Sequence, residues 1–71
     1  MADLTEFADK LPPVIARSHV EEYLGGVISA GYLANLDSQG KGPERYRSGR
    51  KIFYPTLKLL QWLSDRTQKL T

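Results

Sequence analysis

The chain has 71 residues, of which 41% are hydrophobic and 25% are charged, and its formal net charge is +2. This length allows one domain with a small core. The chain lacks cysteine and has a single histidine, which excludes disulfides, thiolate zinc sites and multi-histidine metal sites within one copy. No metal or cofactor is therefore expected. The apolar runs are too short to span a bilayer and the N-terminus lacks a secretion signal, which predicts a cytoplasmic protein with no membrane partner.

The first predicted element is a short helix over residues 3–11. Its apolar positions have the i, i+3, i+4, i+7 spacing of one helix face, and they are Leu4, Phe7, Ala8 and Leu11. Asp3 and Glu6 resemble a capping box, in which each side chain binds a free backbone N–H group. Pro12-Pro13 ends the helix because proline lacks an N–H donor, so residues 1–13 are expected to form a short helix and a proline linker.

The second predicted helix spans residues 17–24 and follows a brief extended pair, Val14-Ile15. Ser18 and Glu21 resemble another capping box near its start. Gly25-Gly26 ends this helix, because glycine accepts the positive φ angle of a helix C-cap at little cost.

The third predicted helix begins after Ser29, a good N-cap residue, and runs to about Ser38. With the second helix and the glycine turn, it has the outline of a helix-turn-helix. Its outward face is small and uncharged, with Tyr32 on the flank, and consists of Gly31, Ala34, Asn35 and Ser38. Small residues allow another surface to approach closely, and Asn35 can form two hydrogen bonds with an adenine edge. The alternative is that these are tolerated surface positions.

A β-hairpin is predicted over residues 45–54, after a turn at 40–43. Tyrosine, isoleucine and phenylalanine favour strands. Gly49-Arg50 provides a two-residue turn with glycine in the first position, as a type II′ turn requires.

Charge is distributed unevenly along the chain. Residues 1–25 carry a net charge of −3 and residues 26–71 a net charge of +5. Five bases and one acid lie between positions 41 and 51, and the bases are Lys41, Arg45, Arg47, Arg50 and Lys51. Phosphate contacts supply most of the sequence-independent affinity for DNA, and an arginine at a hairpin tip suits a narrow minor groove. The alternative is a solvated hairpin whose charges protect an exposed strand edge.

The last predicted helix begins at Pro55-Thr56 and reaches about Gln68. One apolar face is formed by Leu59, Leu60 and Leu63. Trp62, at the margin of this face, is predicted to be a core anchor. Leu57 and Leu60 either pack against the N-terminal helix or form an exposed contact for another protein. The second possibility supports an alternative function, a protein-interaction adaptor that uses this apolar helix.

The side chains needed for catalysis are lacking. Ser18 and His19 are neighbours, so their side chains diverge on a helix, and a Ser–His pair also needs an orienting third group. The acids show no obvious pairing for general acid–base work. Gly40-Lys41-Gly42 lacks the spacing of a phosphate-binding loop. We therefore expect that the protein is not an enzyme.

The stretch from Val14 to Arg66 resembles a known family in the order and spacing of its motifs. The matching segments are Glu22-Tyr23-Leu24-Gly25, Ser29 with Leu33 and Leu36, Gly40-Lys41-Gly42-Pro43, Tyr46 through Tyr54, and Leu59-Leu60-Gln61-Trp62-Leu63. They are similar to the excisionase or MerR-like winged-helix DNA-binding family, which includes the AlpA-type phage regulators. The resemblance implies a single winged helix-turn-helix domain over residues 14–71, mainly α with a small β-hairpin.

The resemblance further implies a sequence-specific protein that binds double-stranded DNA in excisive recombination or at a promoter. The second helix of the pair would enter the major groove, and the hairpin wing would contact the backbone or the minor groove. The protein partner would be an integrase or recombinase, or further copies of the chain on adjacent sites. The expected DNA-binding residues are Arg17, Ser29, Ala30, Gly31, Tyr32, Asn35, Lys41, Arg45, Arg47, Arg50 and Lys51.

This chain departs from the family pattern in the third predicted helix. Ala30, Gly31 and Ala34 stand where relatives often carry longer residues, and the turn before Ser29 is about two residues longer than usual. These departures shift the expected base readout towards Tyr32, Asn35 and the wing.

Overall fold

The structure is a computed structural model that describes residues 3–70. Along the chain its elements are a 3₁₀ helix (Thr5–Lys10), β1 (Val14–Ala16), a 3₁₀ turn (Arg17–His19), α1 (Val20–Tyr23), α2 (Ala30–Ser38), β2 (Tyr46–Ser48), β3 (Lys51–Pro55) and α3 (Thr56–Ser64). About 46% of the described residues are helical, so helices predominate over three short strands within one small domain. No helix within residues 3–70 is long and apolar enough to cross a membrane.

The sheet has three antiparallel strands in the order β1-β3-β2. The sequence predicted the hairpin of β2 and β3 but not that the extended pair after the prolines would join it. Val14 pairs with Pro55, so β1 covers the edge of β3 that would otherwise expose unpaired N–H and C=O groups. The carbonyl of Pro13 also accepts a 2.9 Å hydrogen bond from the N–H of Thr56, which fixes the N-terminal segment to the start of α3.

The N-terminal helix has the predicted position but is a 3₁₀ helix, and its predicted capping box is wrong. The carboxylate of Asp3 accepts hydrogen bonds from the N–H and the hydroxyl of Thr5, at 3.0 and 2.5 Å, instead of from the N–H of Glu6. Leu11 and the two prolines after it limit the helix to six residues, and short segments readily form 3₁₀ helices. The segment packs against α3.

The second predicted helix is divided into the 3₁₀ turn and the single turn of α1, and its capping box is also wrong. The hydroxyl of Ser18 lies 3.3 Å from Nδ1 of His19 instead. Glu21 accepts a 3.3 Å hydrogen bond from the N–H of Ala30, because the free N–H groups at the start of α2 attract a carboxylate.

The glycine turn, the N-cap and the hairpin turn are confirmed. Gly25 and Gly26 have φ angles of +65° and +80°, and the hydroxyl of Ser29 accepts a 3.0 Å hydrogen bond from the N–H of Tyr32. Gly49 has a φ angle of +62° and Arg50 does not have a positive φ, which matches the single positive φ of a type II′ turn.

The last helix ends at Ser64, earlier than predicted. The N–H groups just after the helix donate to carbonyls three residues earlier, as in the 3.0 Å hydrogen bond from Arg66 to Leu63. Hydrogen bonds of this spacing tighten the end of a helix. The hydroxyls of Ser64 and Thr67 bind carbonyls four residues earlier, and such bonds compete with regular helical continuation.

The core lies between the sheet and the helices. Its buried residues are Ile15, Val20, Ile28, Leu33, Tyr54, Leu59 and Leu63. Leu60 is also buried, on the α3 side that meets the N-terminal 3₁₀ helix, whereas Leu57 is 50% exposed. The apolar face of α3 is therefore largely occupied inside the domain. Trp62 is half-buried at the edge of the core, where its Nε1 donates a 3.1 Å hydrogen bond to the carbonyl of Lys41.

Candidate nucleic-acid interface

An open groove of about 570 Å³ separates α2 from the hairpin. One side consists of Ala30, Gly31 and Ala34. The other side consists of Arg50, Lys51 and Ile52, and Arg17 and Ser18 complete the lining. The fold therefore brings together two features that lie about twenty positions apart in the sequence: the small face of α2 and the basic tip of the hairpin.

The helix α2 presents a distinct outward face. Leu33, Leu36 and Asp37 are its buried residues, and at 100° per residue the opposite side carries Gly31, Asn35 and Ser38. The hydroxyl of Ser38 already donates to the backbone carbonyl of Asn35, at 2.7 Å. The side-chain amide of Asn35 is therefore the group on this face that can both donate and accept a hydrogen bond. Ser29 uses its oxygen in the helix cap and retains one hydroxyl hydrogen to donate.

Side chains alternate between the two sides of the hairpin. Arg47 lies opposite Ile52, so both side chains point to the same side of the sheet, which is the side that lines the groove. On the other side, Tyr46 stacks on Phe53 with ring centroids 5.8 Å apart, which stiffens the hairpin. Within residues 3–70, Arg47, Arg50 and Lys51 are exposed and form no ion pair.

A buried ion pair lies behind α2. Asp37 is only 5% exposed, and its Oδ2 accepts hydrogen bonds from the guanidinium of Arg17 and, at 2.7 Å, from the hydroxyl of Tyr54. The Nε of Arg17 also donates to the Tyr54 oxygen at 3.0 Å. Arg17, a predicted DNA-binding residue, therefore serves as the structural partner of Asp37, although 24% of its side chain is exposed. No local pattern in the sequence indicated that Asp37 would be buried.

The protonation states of this cluster follow from burial and contact. Burial, together with the contact with Asp37, raises the pKa of Tyr54 to about 12 against the opposing effect of Arg17, so the phenol stays protonated and donates. Burial alone would lower the pKa of Arg17, but its bonds to Tyr54 and Asp37 raise that pKa overall, so the guanidinium stays charged.

The second oxygen of Asp37 faces the base of the hairpin. Oδ1 is buried, and no group within residues 3–70 forms a hydrogen bond with it. Nη1 of Arg45 lies 3.9 Å from Oδ1, which is an ion pair but too long for a hydrogen bond. Arg45 is thus divided between Asp37 and solvent, with 45% of its side chain exposed. Gly42 packs so closely on Oδ1 that a Cβ there would overlap with it.

A further cation flanks α2 on the side away from the hairpin. The guanidinium of Arg66 lies 4.8 Å from the ring centroid of Trp62 and donates a 3.0 Å hydrogen bond to the hydroxyl of Tyr32. Stacking on an aromatic face holds a guanidinium in place while it stays charged. Arg66 was not among the predicted site residues, although the i, i+4 spacing of Trp62 and Arg66 is a signal for such a pair.

The predicted site residues therefore occupy several different places, and Ser29 serves as the N-cap of α2. The groove is lined by Arg17, Ala30, Gly31, Arg50 and Lys51, and both Arg17 and Arg45 contact Asp37. Asn35, Tyr32 and Arg47 lie beside the groove or on the flanks of α2, and Lys41 is exposed in the loop before the hairpin.

The groove offers cations and small apolar contacts, and the Asn35 amide lies beside it, a set suited to holding an anionic polymer. In the described residues, no group of three or more histidine, aspartate or glutamate side chains is arranged to hold a metal ion. Comparison of the chain with protein-family models, curated proteins and solved structures gives no match. The functional proposal therefore depends on the geometry of the groove.

Proposed function

We propose that the protein binds double-stranded DNA as a winged helix-turn-helix, with α1 and α2 as the helix pair and the β2–β3 hairpin as the wing. The observation that supports this most directly is the groove in which the small face of α2 meets Arg50 and Lys51. An α-helix fits the major groove of DNA, which is about 12 Å wide. A hairpin that follows such a helix pair can contact the phosphate backbone or the minor groove.

The composition of α2 suits close docking. Gly31 and Ala34 add almost no bulk, so the helix backbone can approach the base-pair edges. Asn35 then supplies base recognition through two hydrogen bonds to adenine. The cations on both sides of α2, Arg50 on the hairpin and Arg66 beside Tyr32, would contact phosphates on opposite sides of the helix.

The cellular role we propose is that of an excisionase or a small transcriptional regulator. One small domain makes few base contacts, so useful specificity requires two or more copies on adjacent sites. An integrase or recombinase is the corresponding protein partner for excision. The contacts with DNA are the same in both roles, so the location of the bound site must separate them. Footprinting on candidate attachment and promoter DNA gives that location.

Replacing Arg50 with alanine tests the wing. We expect Arg50→Ala to bind every duplex more weakly than the unchanged protein. We also expect the slope of log Kd against log salt concentration to fall by about one, because each phosphate contact contributes about 0.9 to that slope. The measurement is a fluorescence anisotropy titration at several salt concentrations. Lys58→Ala is the matched control, since Lys58 is an exposed cation on α3 outside the groove. Identical salt slopes for Arg50→Ala and the unchanged protein would contradict the proposal.

Replacing Asn35 with alanine tests base recognition. We expect the preference for a selected duplex over a scrambled one to fall by about 1–3 kcal/mol, with non-specific affinity nearly unchanged. The selected duplex comes from enrichment of a random pool with the unchanged protein. Gln39→Ala removes an exposed amide just beyond α2 and serves as the control. An equal loss on both duplexes would show that Asn35 reads no base.

A further inference from the structure

A cation held by aromatic side chains lies across α2 from the hairpin. The guanidinium of Arg66 lies 4.8 Å from the ring centroid of Trp62 and donates a 3.0 Å hydrogen bond to the hydroxyl of Tyr32. Trp62 packs against the core and its Nε1 donates to the carbonyl of Lys41 at 3.1 Å, so the ring under the guanidinium is fixed. Arg66 is therefore held without a carboxylate: within residues 3–70 it forms no ion pair, not even with its neighbour Asp65.

Both polar groups of this pair have hydrogen atoms left to donate. The Tyr32 oxygen accepts from Arg66 and so retains its own O–H group, and the guanidinium keeps the N–H groups that do not point at Tyr32. Tyr32 is 46% exposed and Arg66 is also exposed, so a ligand can reach them. Two donors 3.0 Å apart, one of them charged, suit two oxygens of one phosphate group.

The pair lies on the flank of α2 opposite the basic hairpin. At about 100° per residue, Tyr32 is about 160° around the helix from Ala34, which lines the groove together with Arg50. Asn35 lies between these two directions. A helix seated in the major groove has a phosphate backbone on each side. When Asn35 faces the bases, the hairpin therefore faces one backbone and the pair faces the other.

We propose that Tyr32 and Arg66 together bind one phosphate of the DNA backbone on the side of α2 away from the hairpin, an inference that rests on the proposed DNA binding. Arg66 supplies the charge, Tyr32 supplies a neutral hydrogen bond, and Trp62 holds the guanidinium in place. Tyr32 is then a backbone-binding residue, and base readout by α2 is left to Asn35. Contacts with both backbones fix the orientation of α2 in the groove.

Substitutions measured by fluorescence anisotropy on a selected duplex, at several salt concentrations, test the pair. Arg66→Ala is expected to weaken binding about tenfold and to lower the slope of log Kd against log salt concentration by about one. Tyr32→Phe is expected to weaken binding about fivefold at an unchanged slope, because a neutral hydroxyl releases no counterion. Tyr23→Phe is its matched control: it removes an exposed hydroxyl on α1 outside the hairpin groove and should bind as the unchanged protein does.

Modified duplexes separate a direct phosphate contact from a structural effect. Ethylation interference on the selected duplex locates the phosphates that the unchanged protein needs, and each is replaced in turn by an uncharged methylphosphonate. At one of these positions, Arg66→Ala and Tyr32→Phe should both lose their effect, whereas Arg50→Ala should still weaken binding. Effects of Arg66→Ala and Tyr32→Phe that persist on every modified duplex, or that vanish at two different positions, would overturn the proposal.

The outcomes also distinguish this site from the wing. A reduced salt slope for Arg50→Ala, with Arg66→Ala equal to the unchanged protein, would overturn the phosphate site and leave the wing in place. No binding of any duplex by the unchanged protein would overturn both. Inorganic phosphate is the remaining probe: if it changes the fluorescence of Trp62, the chain's single tryptophan, while Arg66→Ala binds the duplex normally, the site holds free phosphate and the proposal is wrong.

Discussion

Replacing Asp37 with alanine is expected to lower the free energy of unfolding by about 3 kcal/mol. The substitution leaves the guanidinium of Arg17 without its buried anion and removes the acceptor of the Tyr54 hydroxyl. Breaking a fully buried pair costs about 3–5 kcal/mol, and the 24% exposure of Arg17 places the cost near the lower end. Because a domain of this size has a stability of only about 3–5 kcal/mol, a large fraction of the molecules would unfold.

Urea denaturation followed by circular dichroism measures this loss. Asp65→Ala is the matched control, because Asp65 is an exposed carboxylate just after α3 and its removal should change the free energy of unfolding by less than about 0.5 kcal/mol. Asp37→Asn retains an oxygen that accepts from Arg17 and Tyr54 and should be less damaging than Asp37→Ala. Equal stabilities for Asp37→Ala and Asp65→Ala would show that the buried pair does not stabilise the fold.

Replacing Gly42 with alanine is expected to lower the free energy of unfolding by about 2 kcal/mol. The new Cβ would overlap with Oδ1 of Asp37 and lie 3.3 Å from its backbone nitrogen. The carboxylate would have to rotate away, and its bonds with Arg17 and Tyr54 would break. Gly31→Ala is the control: no atom outside its own helix turn and chain neighbours lies within 4 Å of the added methyl group, so alanine inside α2 should stabilise the protein by about 1 kcal/mol.

Combining the two substitutions identifies the cause of the Gly42 effect. If Gly42→Ala acts by displacing the carboxylate, it should cost less than about 0.5 kcal/mol once Asp37 is already alanine, which corresponds to a coupling energy of about 2 kcal/mol. Additive losses would instead indicate that alanine strains the backbone between α2 and the hairpin. The same urea measurements on the four proteins give the answer.

Local chemistry made several elements predictable from the sequence. Ser29 begins α2 because its hydroxyl caps the helix, and Gly49 makes the hairpin turn because it accepts a positive φ angle. The two sides of the α2–hairpin groove were also identified, as a small helix face and a basic hairpin. In each case the residue type itself carries the information over a few positions.

Features that depend on distant parts of the chain were not predictable. Asp37 looked like a residue at the end of a helix, and its burial depends on Arg17 and Tyr54, which lie 20 and 17 positions away. The carboxylate of Glu21 looked like part of a capping box and instead caps the next helix at Ala30. Gly42 looked like an ordinary turn glycine, whereas its role is to leave space for a buried oxygen. Contacts of this kind are determined by tertiary packing, which the neighbouring sequence does not reveal.

The pairing of β1 with β3 also determines how the domain folds. Val14 pairs with Pro55, so closing the sheet joins two segments that are distant in the sequence. The helix pair and most of the hairpin lie between these segments in the chain. A two-stranded hairpin is marginally stable by itself, and the third strand can add to it only after this long loop has closed, at an entropic cost. The helix pair and the hairpin are therefore expected to acquire their stability in the same cooperative step.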